Sequence, residues 1–321
     1  MNLKILLSAF IISLPFWWGI NVLEANLKDF LFWNEISQNP QIFTAQIALE
    51  EKLQNTRPVR DAESEDLKIE AKSTISIFID DNGKNKILFE KDAEQKLPIA
   101  SLTKLMTARV VLEYYDLSKE IEISQKSVAQ KEDFGKLTPG RVFPTGYLLY
   151  PLLMESSNDA AFALATDYNG MTEAGFAELM NWEAEKMNLK NTYFFNSSGL
   201  EPDNRELNDQ INYSTAADLV LLTKNLLREP LIWEILSTPE YTLYGPELVN
   251  TNQLLSDESF DWQDRIVGGK TGYTEKAGQC MLLVLRAPKN QGFIVNVVLG
   301  SNDRFEEMKK LVNWLEETYK W

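Results

Sequence analysis

A serine and a lysine three residues apart, Ser101 and Lys104 in the stretch PIASLTKLMTA, could together form a nucleophile and its base. Residues i and i+3 lie on the same face of a helix, so the hydroxyl and the amine can come within hydrogen-bonding distance. The lysine can accept the serine proton only where burial or a neighbouring cation lowers its pKa. Such a pair is expected about once by chance in a chain of this length, so other motifs must support it.

The composition leaves few other candidates for a general base. The chain has 321 residues, no histidine and a single cysteine, Cys280. A Ser-His-Asp triad, a Cys-His pair, a histidine-ligated metal site and a disulfide scaffold are therefore excluded. The formal net charge of −15 argues against a nucleic-acid partner, because phosphate binding requires clustered lysine and arginine. A base at neutral pH must be a carboxylate, a tyrosine or a lysine with a lowered pKa.

Two further motifs carry groups that suit such chemistry. In ESSNDAA, Ser156 could pass a proton and the carboxamide of Asn158 could hold a substrate amide. In VGGKTGYT, Lys270 would add positive potential, Thr271 offers a hydroxyl to a carboxylate, and Gly272 lets a ligand approach the strand closely. Each motif also has an ordinary structural interpretation, a helix cap for the first and a strand-end turn for the second.

The apolar patterns predict the elements that would position these motifs. Alternation in STISIFIDDNGKNKILFEKD predicts a hairpin, and RIVGGKTGYT, GQCMLLVLRA and GFIVNVVLGS read as three strands. Helical spacing predicts helices in ASLTKLMTARVVLEYYD, PTGYLLYPLLMESSNDAAFALATDY with a break at its centre, TEAGFAELMNWEAEKMNL, STAADLVLLTKNLLRE with a cap at Ser214, and DRFEEMKKLVNWLEETYKW. Strands at both ends with helices between them predict an α+β fold with one sheet built from both chain ends.

The first residues predict a segment that lies in or crosses a membrane. Residues 1–23 carry Lys4, then a run that is mostly apolar, with Trp17 and Trp18 near its far end. No small-x-small cleavage site follows, which favours an uncleaved anchor over a signal peptide. Residues 24–67 read as a polar spacer and residues 68–321 as one compact domain. The bulk of the protein is expected outside the cytoplasm, in the cell envelope.

Taken in order, the motifs S-x-x-K, S-x-N and K-T-G resemble those of the serine D-alanyl-D-alanine carboxypeptidases, the low-molecular-weight penicillin-binding proteins of peptidase family S11. The likeness extends to LPIASLTKLMTA, LLMESSNDAAFALA, FNSSGLE, NTNQLL and GGKTGYTEKAGQCMLLV, and covers residues 68–321. The resemblance implies the serine DD-peptidase and β-lactamase-like fold. In that fold an antiparallel sheet packs with helices beside a mostly helical lobe, and the active site lies between them.

The resemblance also implies which residues carry out the proton transfers. Ser101 would be the acylated nucleophile and Lys104 its general base. Ser156 would relay a proton to the leaving amine. The backbone N–H groups of Ser101 and Tyr273 would form the oxyanion hole, whose donors typically contribute a few kcal/mol to the transition state.

A second group of residues would bind the substrate. Asn158 would hold the peptide chain, and Lys270 would supply electrostatic support. Thr271 and Arg304 would contact the terminal carboxylate, and Gly272 would allow close approach to the strand. The resemblance implies peptidoglycan stem peptides as substrates and β-lactams as inhibitors, with no metal or organic cofactor.

The sequence departs from the family pattern in three places. Ser157 stands where glycine is usual, a change that could narrow the site. Tyr273 stands where some relatives have histidine. Many relatives continue into a β-rich domain and an amphipathic helix, whereas this chain stops at Trp321, so we expect no C-terminal β domain and anchoring through the N-terminal segment.

Three alternatives to a carboxypeptidase stay open. A β-lactamase of the same fold would need a deacylating glutamate, and Glu201 and Glu206 lie in the corresponding region without a recognisable context. A DD-endopeptidase would cleave cross-links instead of terminal residues. A catalytically silent wall-binding protein is disfavoured by the intact Ser101, Lys104 and Lys270.

Overall fold

The structure, a computed structural model, describes residues 58–131, 136–202 and 209–321. The predicted membrane segment and most of the predicted spacer lie outside these ranges, and the predicted domain boundaries remain predictions. In the described ranges the helices are α1 (Lys104–Tyr114), α2 (Thr145–Leu153), α3 (Asn158–Thr166), α4 (Glu173–Lys186), α5 (Ala216–Leu226), α6 (Pro230–Ser237) and α7 (Arg304–Thr318). The strands are β1 (Val59–Arg60), β2 (Ser73–Ile79), β3 (Asn85–Lys91), β4 (Leu97–Pro98), β5 (Glu120–Glu122), β6 (Val142–Pro144), β7 (Tyr213–Ser214), β8 (Glu240–Tyr241), β9 (Leu248–Val249), β10 (Ile266–Thr274), β11 (Gly278–Arg286), β12 (Phe293–Ser301) and β13 (Tyr319–Lys320).

The main sheet has five strands in the order β10-β11-β12-β2-β3, and every neighbouring pair is antiparallel. Two of its strands come from the start of the described chain and three from its end. Every residue of β2 is buried, as expected for a strand covered on both faces. This sheet and the helices around it confirm the predicted α+β fold.

The predicted hairpin is β2–β3, and its turn uses an aspartate to hold the chain. Oδ1 of Asp80 accepts hydrogen bonds from the backbone N–H groups of Asn82 and Lys84 at 3.0 and 2.7 Å. Gly83 has a φ of +77°, a conformation that glycine adopts without a steric penalty. The turn therefore returns β3 alongside β2.

Helices α1 to α4 pack against one another, whereas α5 and α7 pack on the sheet. The 3₁₀ turn Ala100–Thr103, which leads into α1, packs against β10 and β11. The helical group therefore meets the sheet at the turn that carries Ser101, as the resemblance implied. Among the described helices, none is both long and apolar enough to cross a membrane.

Two local features differ from the sequence-based predictions. The cap of α5 is Thr215, whose hydroxyl accepts from the N–H of Asp218, and not Ser214, which lies in β7. Helix α6 was absent from the predicted elements; it begins with Pro230 and packs against β10.

The described residues 62–318 belong to one unit, and β1 and β13, which pair antiparallel, belong to another.

Candidate active site

The turn before α1 brings the serine and the lysine together. Nζ of Lys104 donates a hydrogen bond to Oγ of Ser101 at 2.8 Å. The lysine is fully buried, whereas the serine is partly exposed. Ala100 has a φ of +46°, which is uncommon for a residue with a side chain and marks the kind of local strain found at functional sites.

Lys104 has two further acceptors. Nζ donates to Oδ1 of Asn158 at 2.8 Å and to the carbonyl of Ser198 at 2.7 Å. As an ammonium Nζ donates to all three oxygens, and as a neutral amine it donates to Asn158 and Ser198 and accepts from the hydroxyl of Ser101. The next residue, Gly199, has a φ of +88°, and a Cβ atom there would lie 2.0 Å from the carbonyl oxygen of Ala100.

A second serine and lysine pair involves residues far apart in the sequence. Nζ of Lys270, in β10, donates to Oγ of Ser156 at 2.9 Å and to the carbonyl of Thr271 at 3.0 Å. Burial, with a smaller contribution from the charge of Arg304, lowers the pKa of Lys270 from 10.5 to about 7. Ser156 lies between α2 and α3 with a φ of +64°. The amine of Lys270 can therefore be either protonated or neutral near neutral pH.

The middle motif positions its polar groups on helix α3. The carboxamide of Asn158 accepts from Lys104 and donates from Nδ2 to the carbonyl of Lys131 at 2.8 Å. Ser157 is fully buried, and its hydroxyl caps α3 by accepting from the N–H of Ala160 at 3.1 Å. Ser157 therefore caps α3 and does not line the cavity described below.

Strand β10 passes close to the nucleophile. A Cβ atom at Gly272 would lie 3.1 Å from the backbone nitrogen of Ser101, so glycine allows this approach. Oγ1 of Thr271 shares a hydrogen bond of 2.7 Å with Oγ1 of Thr251. The side chain of Tyr273 is exposed.

Arg304, the first residue of α7, reaches the same strand. Its Nη1 donates to the carbonyl of Gly272 at 3.0 Å. Its Nε is buried with no hydrogen-bond partner among the described residues. Burial lowers the pKa of Arg304, yet a guanidinium remains charged at physiological pH. The arginine is therefore placed to bind an anion beside β10.

These side chains surround a cavity of about 550 Å³. Seven of the predicted site residues line it, and they are Ser101, Ser156, Asn158, Thr271, Gly272, Tyr273 and Arg304. The two predicted lysines are buried and contact the lining serines. Sequence reasoning assigned no role to the other lining residues, which are Glu155, Gly199, Leu200, Thr251, Thr274 and Gln279. All six lie in segments that carry the family likeness: Glu155 in LLMESSNDAAFALA, Gly199 and Leu200 in FNSSGLE, Thr251 in NTNQLL, and Thr274 and Gln279 in GGKTGYTEKAGQCMLLV.

Comparison with known proteins agrees with this geometry. Residues 59–303 match the family model described as D-alanyl-D-alanine carboxypeptidase, peptidase S11. The chain is 33% identical over 253 residues to a D-alanyl-D-alanine endopeptidase of Pseudomonas aeruginosa, covering 75% of this chain and 76% of that protein. It is 31% identical over 261 residues to the D-alanyl-D-alanine carboxypeptidase DacA of Escherichia coli. That match covers 77% of this chain but only 60% of DacA.

Solved structures show the same fold. Penicillin-binding protein D2 of Listeria monocytogenes, in its cefotaxime-bound form, has a TM-score of 0.63 and 28% identity, covering 79% of this chain and all of that one. A peptidoglycan synthesis regulatory factor, PBP3 of Streptococcus pneumoniae, has a TM-score of 0.69 and 27% identity, covering 78% of this chain and 72% of that one. The resemblance read from the three motifs is confirmed, and the chain belongs to the D-alanyl-D-alanine carboxypeptidase family, peptidase S11.

Proposed function

We propose that the protein is a serine D-Ala-D-Ala carboxypeptidase that removes the terminal D-alanine from peptidoglycan stem peptides through an acyl-enzyme on Ser101. The observation that carries this proposal is the hydrogen bond of 2.8 Å between the buried amine of Lys104 and the hydroxyl of Ser101. In a chain without histidine, this amine is the base that touches the nucleophile.

Acylation begins when Ser101 Oγ attacks the carbonyl carbon between the two D-alanines. The hydroxyl proton passes to Lys104 in its neutral form, and burial disfavours the charged form of an amine. The negative charge that develops on the carbonyl oxygen is bound by the backbone N–H groups of Ser101 and Tyr273. The partial exposure of Ser101 and the closeness of β10 to it support this arrangement.

The leaving D-alanine requires a proton on its nitrogen when the C–N bond breaks. Ser156 lines the cavity and accepts a hydrogen bond from Lys270, so it relays this proton and is resupplied by that lysine. The pKa of Lys270, lowered to about 7, suits both giving and taking a proton at neutral pH. Water then attacks the acyl carbonyl, Lys104 returns its proton to Ser101 Oγ as the ester bond breaks, and a proton released from the water restores the charge of Lys270.

The terminal carboxylate of the peptide binds at Arg304 and Thr271. The buried Nε of Arg304 has no partner among the described residues, and Thr271 lines the same cavity. A free carboxylate would satisfy the guanidinium through charge-assisted hydrogen bonds. Asn158 is proposed to hold the peptide chain in addition to its contact with Lys104.

Endopeptidase activity on cross-links is the second candidate. It is favoured by the relative from Pseudomonas aeruginosa, which bears that name and matches this chain over 76% of its length. In a cross-link the leaving residue belongs to a second peptide, so product analysis of dimeric and monomeric muropeptides separates the two activities.

β-Lactams are proposed to acylate Ser101, because they are acyl donors of the same kind and a family relative of this fold has been solved with cefotaxime bound. A β-lactamase would release the adduct rapidly. Glu201 accepts a hydrogen bond from the N–H of Lys276 at 3.0 Å, and Glu206 lies outside the described residues. Because residues 59–303 match a peptidase family, we expect a long-lived adduct.

An extracytoplasmic location, with residues 1–23 as anchor or signal peptide, is also proposed. It is supported by the apolar N-terminal sequence and by the position of peptidoglycan outside the cytoplasmic membrane.

Labelled penicillin and a D-alanine release assay test the proposed function. The wild type is expected to take up the label and release D-alanine, whereas Ser101→Ala is expected to do neither. Label retained by Ser101→Ala would show that another residue is the nucleophile. A wild type inactive in both assays would favour the silent wall-binding protein.

A further inference from the structure

Glu155 is the only acidic residue among the described residues that line the active-site cavity. It immediately precedes Ser156 in the break between α2 and α3. Only 5% of its surface is exposed. Glu155 has no role in the proposed reaction and none was assigned to it from the sequence motifs, although it lies next to Ser156.

The two oxygens of Glu155 differ in their contacts. Oε1 accepts from the backbone N–H of Val249 at 3.1 Å and from Nζ of Lys136 at 3.4 Å. The second contact is longer than a good charge-assisted hydrogen bond, and the side chain of Lys136 is half exposed. Oε2 is buried and has no hydrogen-bond partner among the described residues.

A buried carboxylate oxygen without a donor is unfavourable, because it has lost its hydrogen bonds to water and no protein donor replaces them. Such a group is tolerated where a bound ligand supplies the missing donor. The same cavity holds Arg304, whose unpartnered Nε suits an anion. A cation and an anion that both line the cavity, Arg304 and Glu155, therefore each keep one side-chain atom without a hydrogen-bond partner among the described residues, and together they match a substrate that carries both charges.

We infer that Glu155 is a specificity residue that binds a free ammonium group of the substrate, the side-chain amine of a diamino acid preceding the two D-alanines. This inference rests on the proposed function. The substrate's terminal carboxylate binds at Arg304 while its side-chain ammonium binds at Glu155. Peptides whose side-chain amine is blocked lose the second contact.

Two tripeptides that differ only at this amine test the inference. They are Nα-acetyl-L-Lys-D-Ala-D-Ala, with a free ε-amine, and its Nα,Nε-diacetyl counterpart. The wild type is expected to have a kcat/KM about tenfold higher for the free amine, the effect of one hydrogen bond between charged groups. Glu155→Gln is expected to bring this ratio close to one, because glutamine still accepts from Val249 but carries no charge.

Two more variants separate a local contact from a general charge effect. Glu201→Gln removes a carboxylate that does not line this cavity. It is expected to keep the wild-type ratio of kcat/KM between the free-amine and the blocked peptide. Lys136→Met removes the ammonium that competes for Glu155, and it is expected to increase the ratio. The Lys136 variant also carries the test should Glu155→Gln fail to fold.

The outcomes separate a failure of the Glu155 subsite from a failure of the proposed function. Equal kcat/KM for the two peptides in the wild type, or an unchanged preference in Glu155→Gln, would overturn the subsite and leave the carboxypeptidase intact. If Glu155→Gln does not fold, an unchanged ratio in Lys136→Met would overturn the subsite instead. Hydrolysis of neither peptide, together with no penicillin labelling, would overturn the proposed function and the subsite with it.

Discussion

Nζ of Lys104 lies 2.8 Å from Oδ1 of Asn158, so the middle motif contacts the proposed base directly. A carboxamide oxygen accepts this hydrogen bond without adding a charge. It therefore orients the amine while stabilising its protonated form less than a carboxylate would. The type of residue at this position should control how readily Lys104 loses its proton.

We predict that Asn158→Asp slows acylation of Ser101 by about tenfold or more at neutral pH, because a carboxylate beside Lys104 favours the ammonium. The rate should recover as the pH rises. Stopped-flow measurement of acylation by a fluorescent penicillin, from about pH 6 to pH 10, checks this. Asn158→Ser serves as the uncharged control. A wild-type rate for Asn158→Asp at neutral pH would contradict the assignment of Lys104 as the base.

Gly272 allows β10 to lie against the nucleophile, and we predict that Gly272→Ala impairs acylation more than folding. The added Cβ would lie 3.1 Å from the nitrogen of Ser101 and from the carbonyl oxygen of Ile99, so a shift of a few tenths of an ångström would relieve it. We expect kcat/KM to fall about tenfold, with a loss of stability of about 1 kcal/mol. Urea unfolding measures the loss of stability, and D-alanine release measures kcat/KM. A kcat/KM equal to that of the wild type would show that the close approach of β10 to Ser101 is not critical.

Gly199 has less space for a Cβ atom than Gly272 has. We predict that Gly199→Ala lowers the free energy of unfolding by about 3 kcal/mol or more. Its Cβ would lie 2.0 Å from a backbone oxygen, and its φ is +88°. Gly170→Ala is the matched control, because its φ is +64° with no atom within 4 Å, so only the backbone penalty of about 1 kcal/mol applies. Similar losses in both variants would contradict the predicted clash.

Ser157 caps α3, and we predict that Ser157→Ala lowers the free energy of unfolding by about 1 kcal/mol. Ser157→Gly, which introduces the residue usual in the family, should cost only a few tenths of a kcal/mol. Both variants should release D-alanine with the wild-type KM. A raised KM without a change in stability would mean that this hydroxyl faces the substrate.

The lowered pKa of Lys270 makes stability depend on pH. Between about pH 7 and its ordinary pKa of 10.5, the unfolded chain holds a proton on Lys270 that the folded chain has lost. The free energy of unfolding contributed by this group therefore rises with pH across that window and is constant below it. The burial penalty is fully present below pH 7 and disappears as the unfolded lysine also becomes neutral.

We predict that Lys270→Met removes this rise. The stability of the wild type relative to Lys270→Met should increase from about pH 7 to pH 10.5, as measured by urea unfolding. Lys126→Met, at an exposed lysine, measures the general effect of removing one positive charge. A difference between wild type and Lys270→Met that stays constant with pH would show that Lys270 has an ordinary pKa.

The sequence alone determined the local elements and the residue types that carry the proposed chemistry. The hairpin β2–β3, the helix that begins at Lys104 and the break before Asn158 follow from side-chain periodicity and turn residues, which act between near neighbours. Ser101 and Lys104 are one helical turn apart, so their contact was also predictable. The cap of α5 was placed one residue early because Ser214 and Thr215 are both good caps, and only the backbone path distinguishes them.

The tertiary structure decided the contacts between distant segments. Ser156 and Lys270 are 114 residues apart, and their hydrogen bond exists because β10 packs beside the break between α2 and α3. The same holds for Arg304 at Gly272 and for the place of Glu155 in the cavity lining. No local pattern encodes these relationships, because each depends on how the sheet and the helices pack, and packing is set by the whole core.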